Sequence, residues 1–545
     1  MSFLQLVRRE MHGSLPKLLF MSALGGISTA TILAAINAGM QGGSGLWAAV
    51  LFLISLFLFI KTQYYVTITT TAEIEAIIHK LRLRLMDMVR RSELLEMESI
   101  GRARIVAAIT SDTATLTQAS NLLAFTIQGA VLIFFVAIYV AFLSVMAILI
   151  TIVVVTTAGL VFHYKNKRLA AEKQQAAEWE RRLFDRLIDF LDGFKEIRLN
   201  TARSDDLYED AVEVSRTAAN IKIKSQAETF KLIVSSQFSM YILLGAVVFV
   251  APQLSSKLGG ASLAKTTTAL MFVVGACFGL VQSIPVLLTA NAAADRIMQL
   301  EATLEAHLAK IPRDREIKIP KRFDTIEMQN IVFRYVDKFS DTTFQIGPLD
   351  FTLHSGELVF ITGGNGSGKS TFLRVLAGLY PPDSGEITLD GMRITDETRD
   401  AYRALISGIF FDNHLFRRLY GIPEMEPGEL DRLLTKFRLE DKTGLVGGEF
   451  RTLDLSGGQR RRLALIVSML EKRPILLLDE WTAEQDPEFR RKFYHELLPE
   501  MLQAGVTIVV ITHDDRYLDE LDLPARRLRM DEGRFVDRQL TRSGG

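Results

Sequence analysis

A chain of 545 residues is too long for one hydrophobic core and suits two or three domains of ordinary size. Its 63 basic and 63 acidic residues cancel, so no overall field draws it to nucleic acid, and nucleic acid is not expected as a partner. A single cysteine, Cys277 in an apolar run, rules out an intrachain disulfide or a cysteine metal cluster, while a mean hydropathy of +0.19 beside 23% charged residues requires apolar residues to be gathered in one region.

They gather in roughly the first 300 positions. The opening MSFLQLVRREMHGSLPKLL has no compact apolar stretch followed by a small-residue cleavage site, so it reads as an interfacial amphipathic helix and not as a signal peptide. Six runs near 18–40, 46–60, 121–143, 145–164, 231–251 and 266–288 are long and apolar enough to be expected as membrane spans, and Lys231, at one end, is their only charged residue. Buried helices of a soluble core normally keep a polar face, which these lack.

The connecting segment 61–120 carries eight Lys or Arg and 165–230 carries thirteen, whereas the opposite-side connections hold only Lys257 and Lys265. The long segments and both chain ends are therefore expected in the cytosol. In IIHKLRLRLMDMV and LFDRLIDFLDGF apolar positions recur at helical spacing, so each long segment reads as two antiparallel helices, a stalk of roughly 40 Å at 1.5 Å per residue. The hairpin tips, around Glu93 to Arg104 and Gly193 to Arg203, are the expected contacts with a separate domain; a solvated charged face is the plainer alternative. Asn37, Gln128, Gln237, Gln282 and Asn291 are costly against lipid and should face a cavity or another helix.

The helical membrane domain is expected over 1–311, and the linker with a soluble α/β domain over 312–545, where short strand patterns alternate with helical ones. There the strand ELVFIT runs into Gly363-Gly364-Asn365-Gly366-Ser367-Gly368-Lys369-Ser370-Thr371 and then the helical FLRVLAGL. Glycines let such a loop turn its N–H groups and the following helix N-terminus toward phosphate oxygens; Lys369 suits the β and γ phosphates and Ser370 a magnesium ion. ATP or GTP is the implied ligand.

Further on, Leu455-Ser456-Gly457-Gly458-Gln459 opens a helical run, and 23 residues past Ser456 the strand PILLL ends in Asp479-Glu480. With these the chain resembles the ATP-binding cassette proteins. The resemblance implies that Asp479 holds magnesium, that Glu480 polarises the attacking water, that His513 in VVITHDD contacts the γ phosphate, and that Tyr335 stacks on adenine. It also implies that Ser456 to Gln459 address nucleotide held by a partner cassette, so that two cassettes meet head to tail, and that Asp486 communicates between the two sites; a helix N-cap is the alternative for Asp486. One cassette with all of these residues fits a homodimer, a sister chain being the other possibility. Where many cassettes carry a magnesium-binding glutamine, Phe411 stands here beside Asp412, and Asp412 or a water is expected to take over the contact with Phe411 against a stalk end.

Six spans with long stalks ahead of one cassette resemble the half-size exporters. Asp479-Glu480-Trp481-Thr482-Ala483-Glu484-Gln485-Asp486-Pro487-Glu488-Phe489-Arg490, with Phe411-Asp412, resembles the bacterial branch that exports syringomycin-like lipopeptides, pyoverdine precursors or lasso-peptide microcins. That implies an ATP- and magnesium-dependent inner-membrane exporter of a cyclic or modified peptide or siderophore precursor. The alternatives are a lipid or multidrug flippase, a siderophore importer, and an ATP-gated regulator, the last argued against by Glu480.

Overall fold

The computed structural model describes residues 2–10, 15–39, 45–254, 261–308, 322–336, 343–422, 425–521 and 523–536. The chain forms two compact units, one of Met1–Arg90 and Arg102–Thr303, the other of Arg91–Gly101 and Leu304–Gly545. The expected linker after 311 begins in residues outside the described ones.

Among its described residues the first unit is built of helices, with no strand. Among the described residues five helices are long and apolar enough to cross a membrane: Pro16–Gly39, Gly45–Arg91, Arg102–Leu143, Thr201–Gln253 and Leu263–Ala306. A sixth, Val145–Asp192, is apolar over Val145–Thr157, and the side chains over which its expected span continues to 164 are largely outside those described. In hydrocarbon every backbone N–H needs an internal partner, which a helix supplies; because the same helices continue unbroken into polar sequence, the one over Gly45–Arg91 alone is roughly 70 Å long. Cys277 packs in the bundle core with Leu33, Val136, Met240, Leu243 and Leu270.

The N-terminal helix Ser2–Glu10 departs from the interfacial reading. Its apolar face, Phe3, Leu6 and Val7, is buried in protein, and the Phe3 N–H donates to Asn291 Oδ1 at 3.2 Å. Glu10 pairs with Lys80 and Arg84 at 2.9 Å each, and Arg84 also reaches the buried Glu301 at 2.8 Å. Burial pushes the Glu10 carboxyl up, but the hydrogen bonds from Lys80 and Arg84 outweigh it and bring it down to about 2.

The second unit is a layered α/β domain. Strands β1 (Thr325–Val336), β2 (Thr343–His354), β4 (Ser384–Leu389) and β5 (Met392–Arg393) form an antiparallel sheet in the order β2-β1-β4-β5. The central sheet, in the order β12-β11-β3-β10-β9-β6, uses β3 (Leu358–Thr362), β6 (Ile406–Ile409), β9 (Ile475–Asp479), β10 (Thr507–Ile511), β11 (Arg526–Asp531) and β12 (Arg534–Val536), parallel except at β12. A short ribbon joins β7 (Leu445–Val446) to β8 (Glu449–Phe450). All five residues of β9 and of β10 are buried, as expected of parallel strands covered on both faces. Val359, Leu477 and Val509 point into a core shared with the antiparallel sheet and helix Lys369–Leu376; Phe360, Leu478 and Val510 point into a second core with Trp481, Phe489 and Phe493. The parallel strands therefore end side by side at one edge, where ligands of such sheets bind.

Candidate nucleotide site

The phosphate loop leaves β3 at Gly363, whose φ of +145° and 2.1 Å clearance between a built Cβ and the Met530 carbonyl admit only glycine. Helix Lys369–Leu376 follows, and Lys369 donates through Nζ to the Gly363 and Gly364 carbonyls at 3.0 and 2.8 Å. Burial lowers the Lys369 ammonium, and the nearby carboxylates of Glu480 and Asp479 partly restore it.

Asp479 ends β9. Its Oδ1 accepts from Ser370 Oγ at 3.1 Å, while Oδ2 is buried without a partner, and burial raises this carboxyl above its usual range. An orphaned carboxylate oxygen beside a hydroxyl is a donor set that suits a hard divalent cation. Among the described residues no cluster of three or more His, Cys, Asp or Glu is placed to hold a metal. Magnesium held there would contribute charge neutralisation on phosphate oxygens. Because the folded-state pKa of Asp479 is raised, its ionised form opposes folding, and more so as pH rises through that pKa. Asp479→Asn is accordingly expected to raise the melting temperature by a few degrees at neutral pH without nucleotide or magnesium; an unchanged or lower melting point would contradict the unpaired carboxylate.

Glu480, next along, has φ +49°, its N–H donates to the Ile511 carbonyl at 3.1 Å, and its carbonyl accepts from Arg461. This strained backbone turns the carboxylate toward the edge, where Oε1 lies 3.1 Å from His513 Nε2 just past β10. Trp481 anchors the turn below, buried, with Nε1 donating to the Arg461 carbonyl at 2.8 Å.

Asn365, Gly366, Lys369, Ser370 and Thr371 share a cavity of about 590 Å³ with Tyr335 and Glu480. Sequence reading singled out none of its other four side chains, Glu98, Phe344, Arg374 and Tyr380. Tyr380 Oη donates to Glu98 Oε2 at 2.8 Å and accepts from Arg374 at 3.1 Å; burial and the bond to Glu98 push the phenol up to about 12. Glu98 belongs to helix Leu94–Ile100, at the first stalk tip, whose Leu94 and Leu95 pack on the cassette core. No local motif marks Tyr380 or Glu98, 282 positions apart. For the second tip, the helix Phe194–Leu199 lies in the other unit and exposes Phe194 and Leu199.

Phe411 and Asp412 each meet an arginine of the cassette. Asp412 is exposed, and its ion partner is Arg374 at 3.6 Å; the Phe411 ring lies against the Arg461 guanidinium, 5.2 Å from its centroid. Phe411 thus contacts the side chain that holds the Glu480 carbonyl.

Ser456 and Gln459 form a reciprocal capping box at the head of Gly457–Leu470, and a Cβ on Gly458 would come within 2.6 Å of the Glu484 carbonyl. None of Ser456 to Gln459 lines the phosphate cavity. Asp486 caps helix Pro487–Lys492 through the Phe489 N–H at 2.8 Å and pairs with Arg462 at 2.5 Å, the alternative the sequence had left open for it.

Comparison with known proteins agrees with this geometry. The ABC transporter family profile matches residues 346–483. The chain is 34% identical over 477 residues to ATP-binding protein SyrD of Pseudomonas syringae pv. syringae, covering 84% of this chain and 82% of that one. It is also 34% identical over 212 residues to thiamine import ATP-binding protein ThiQ of Brucella suis, covering 36% of this chain and 86% of that one. A bacterial Atm1-family ABC exporter with ATP bound superposes with a TM-score of 0.77 over 97% of this chain and 95% of its own, at 19% identity. Apolar helices, a phosphate loop ending a parallel strand and this extent of identity lead to one conclusion: the chain is an integral membrane protein of the ABC transporter family, with the half-size exporter fold and an ATPase domain that couples magnesium-dependent ATP hydrolysis to transport.

Proposed function

We propose that this transporter exports a cyclic or modified peptide or a siderophore precursor, as a homodimer in a bacterial inner membrane with termini and cassettes in the cytosol. The observation that carries the reading is 34% identity to SyrD across 84% of the chain, spans and cassette together. In this reading Lys369 and the loop amides of Gly363 to Thr371 grip the phosphates, Ser370 and Asp479 hold magnesium, and Tyr335 stacks on adenine. Glu480 orients the attacking water and takes up its proton, and the His513 bond fixes the carboxylate. Ser456 to Gln459 and Asp486 of one copy close on nucleotide held by the other, in keeping with the absence of the signature residues from their own chain's phosphate cavity.

A flippase is the second reading, favoured by a cavity of about 430 Å³ in the first unit whose lining includes Val153, Leu232, Met240 and Leu280. ATP hydrolysis by the purified protein in lipid, with panels of cyclic peptides, siderophores and lipids, separates the two. Turnover raised by peptides or siderophores supports export; turnover raised by lipids alone overturns it.

A further inference from the structure

A second cavity in the membrane unit, about 460 Å³, is walled by four helices, Leu15–Gly39, Gly45–Arg91, Arg102–Leu143 and Ala261–Leu308. No Asp, Glu, Lys or Arg lines it; its polar groups are the carboxamides of Gln63, Gln128 and Gln282 and the hydroxyls of Ser22, Thr29 and Thr62. The threonines are satisfied within their own helices, donating to the Gly25 and Leu58 carbonyls at 3.0 and 2.9 Å. Ser22 is only 3% exposed and its Oγ has no partner, and Gln128 Nε2 is likewise buried and unpaired.

Two orphaned polar groups in one apolar cavity need a reason, because a polar atom taken out of water without a hydrogen bond destabilises the fold. Elsewhere in the bundle Asn37 is half satisfied, its Nδ2 donating across helices to Tyr139 Oη at 3.1 Å while its Oδ1 has no partner. The cavity also has open volume along the wall formed by helix Ala261–Leu308. Gly275 and Gly279 line it one helical turn apart, and a Cβ built on either meets nothing within 4 Å. By contrast Gly26, on the same wall, would strike Val131 and Phe135 at 2.8 Å and is there for packing.

We infer that this cavity is a binding site for an uncharged, amide-bearing segment of the substrate, a few residues of peptide backbone. This rests on the peptide-export reading and gives it a location. A carboxamide offers a donor and an acceptor in one plane, as a peptide bond does, so Gln128 and Ser22 gain the partners they lack. A plain hydrocarbon chain would leave both unpaired, and a charged group would enter without a counter-charge.

The test uses the full-length protein in lipid nanodiscs and a neutral cyclic tetrapeptide beside its fully N-methylated counterpart, whose N–H donors are gone. Binding of the labelled peptide and its stimulation of ATP hydrolysis are both read, in wild type, Gln128→Leu and Gly279→Phe. Gln128→Leu removes an orphan without opening a void, and Gly279→Phe fills space that is free, so both variants should keep their ATP-induced thermal stabilisation, the check that the cassette is folded. Expected are about tenfold weaker binding for the N-methylated probe and for Gln128→Leu, equal to the loss of one hydrogen bond, and no peptide binding in Gly279→Phe. Peptide binding unchanged in both variants overturns this site and leaves peptide export standing. A wild type that responds to a dodecyl-chain amphiphile and to neither peptide overturns both. If Gly279→Phe fails the folding check, unchanged binding in Gln128→Leu alone overturns the site.

Discussion

Glu480→Gln is expected to lower ATP turnover about 10²–10⁴-fold while ATP binding persists, measured as phosphate release and as nucleotide-induced thermal stabilisation in the same preparation. Glutamine keeps the size of the side chain and can still bond to His513 Nε2, now 3.1 Å from Glu480 Oε1. The backbone is held separately, by the Ile511 carbonyl, by Arg461 and by Trp481 packed beneath, so its φ of +49° does not depend on the carboxylate. What is removed is the ability to accept a proton from water. Lys369, Ser370 and Asp479, which face the phosphates and the metal in the proposed site, are untouched. Turnover within a few-fold of wild type would mean that Glu480 is not the base. Loss of ATP binding together with turnover would mean that the substitution had damaged the site as a whole.

Much of this site could be read before any coordinates, because its residues sit in short local patterns whose backbone requirement is visible in the letters. Glycines from Gly363 to Gly368 between an apolar strand and a helix specify a phosphate loop, and PILLL ending in Asp479-Glu480 specifies a buried strand that delivers two carboxylates to a sheet edge. The rest depends on what the chain meets after folding. An amphipathic stripe at Phe3, Leu6 and Val7 reads alike whether its partner is lipid or protein, and only the buried contact with the helix bearing Asn291 decides. Asp412 was expected near the metal because it stands one place from the usual glutamine; in the fold it pairs at 3.6 Å with Arg374, a residue of the nucleotide cavity that no motif marks. Glu98 and Tyr380 carry no motif and meet only because a stalk tip packs on the cassette.

At that tip, Glu93→Arg should abolish stimulation of ATP hydrolysis by the transported substrate while leaving ATP binding to the cassette in place. Helix Leu94–Ile100 stops at Gly101, where φ is +84° and the N–H caps back onto the Met97 carbonyl at 3.0 Å, so the tip is a short rigid element joined covalently at both ends to long helices. Glu93, mostly buried just ahead of it, pairs with Arg403 and lies 3.7 Å from Arg399, both of which are themselves largely buried. Reversing its charge sets three cations together where desolvation makes the repulsion strong, and the remaining anchors are Leu94, Leu95 and the Glu98–Tyr380 bond. A glutamate hydrogen-bonded to Arg403 and within ion-pair distance of Arg399 should also couple energetically to them. In a double-mutant cycle of Glu93→Ala with Arg403→Ala, read as substrate-stimulated turnover, the coupling should be about 0.5–3 kcal/mol. Full stimulation in Glu93→Arg would show that the signal enters the cassette by another route, and a cycle that sums to zero would reduce the ion pair to a surface contact.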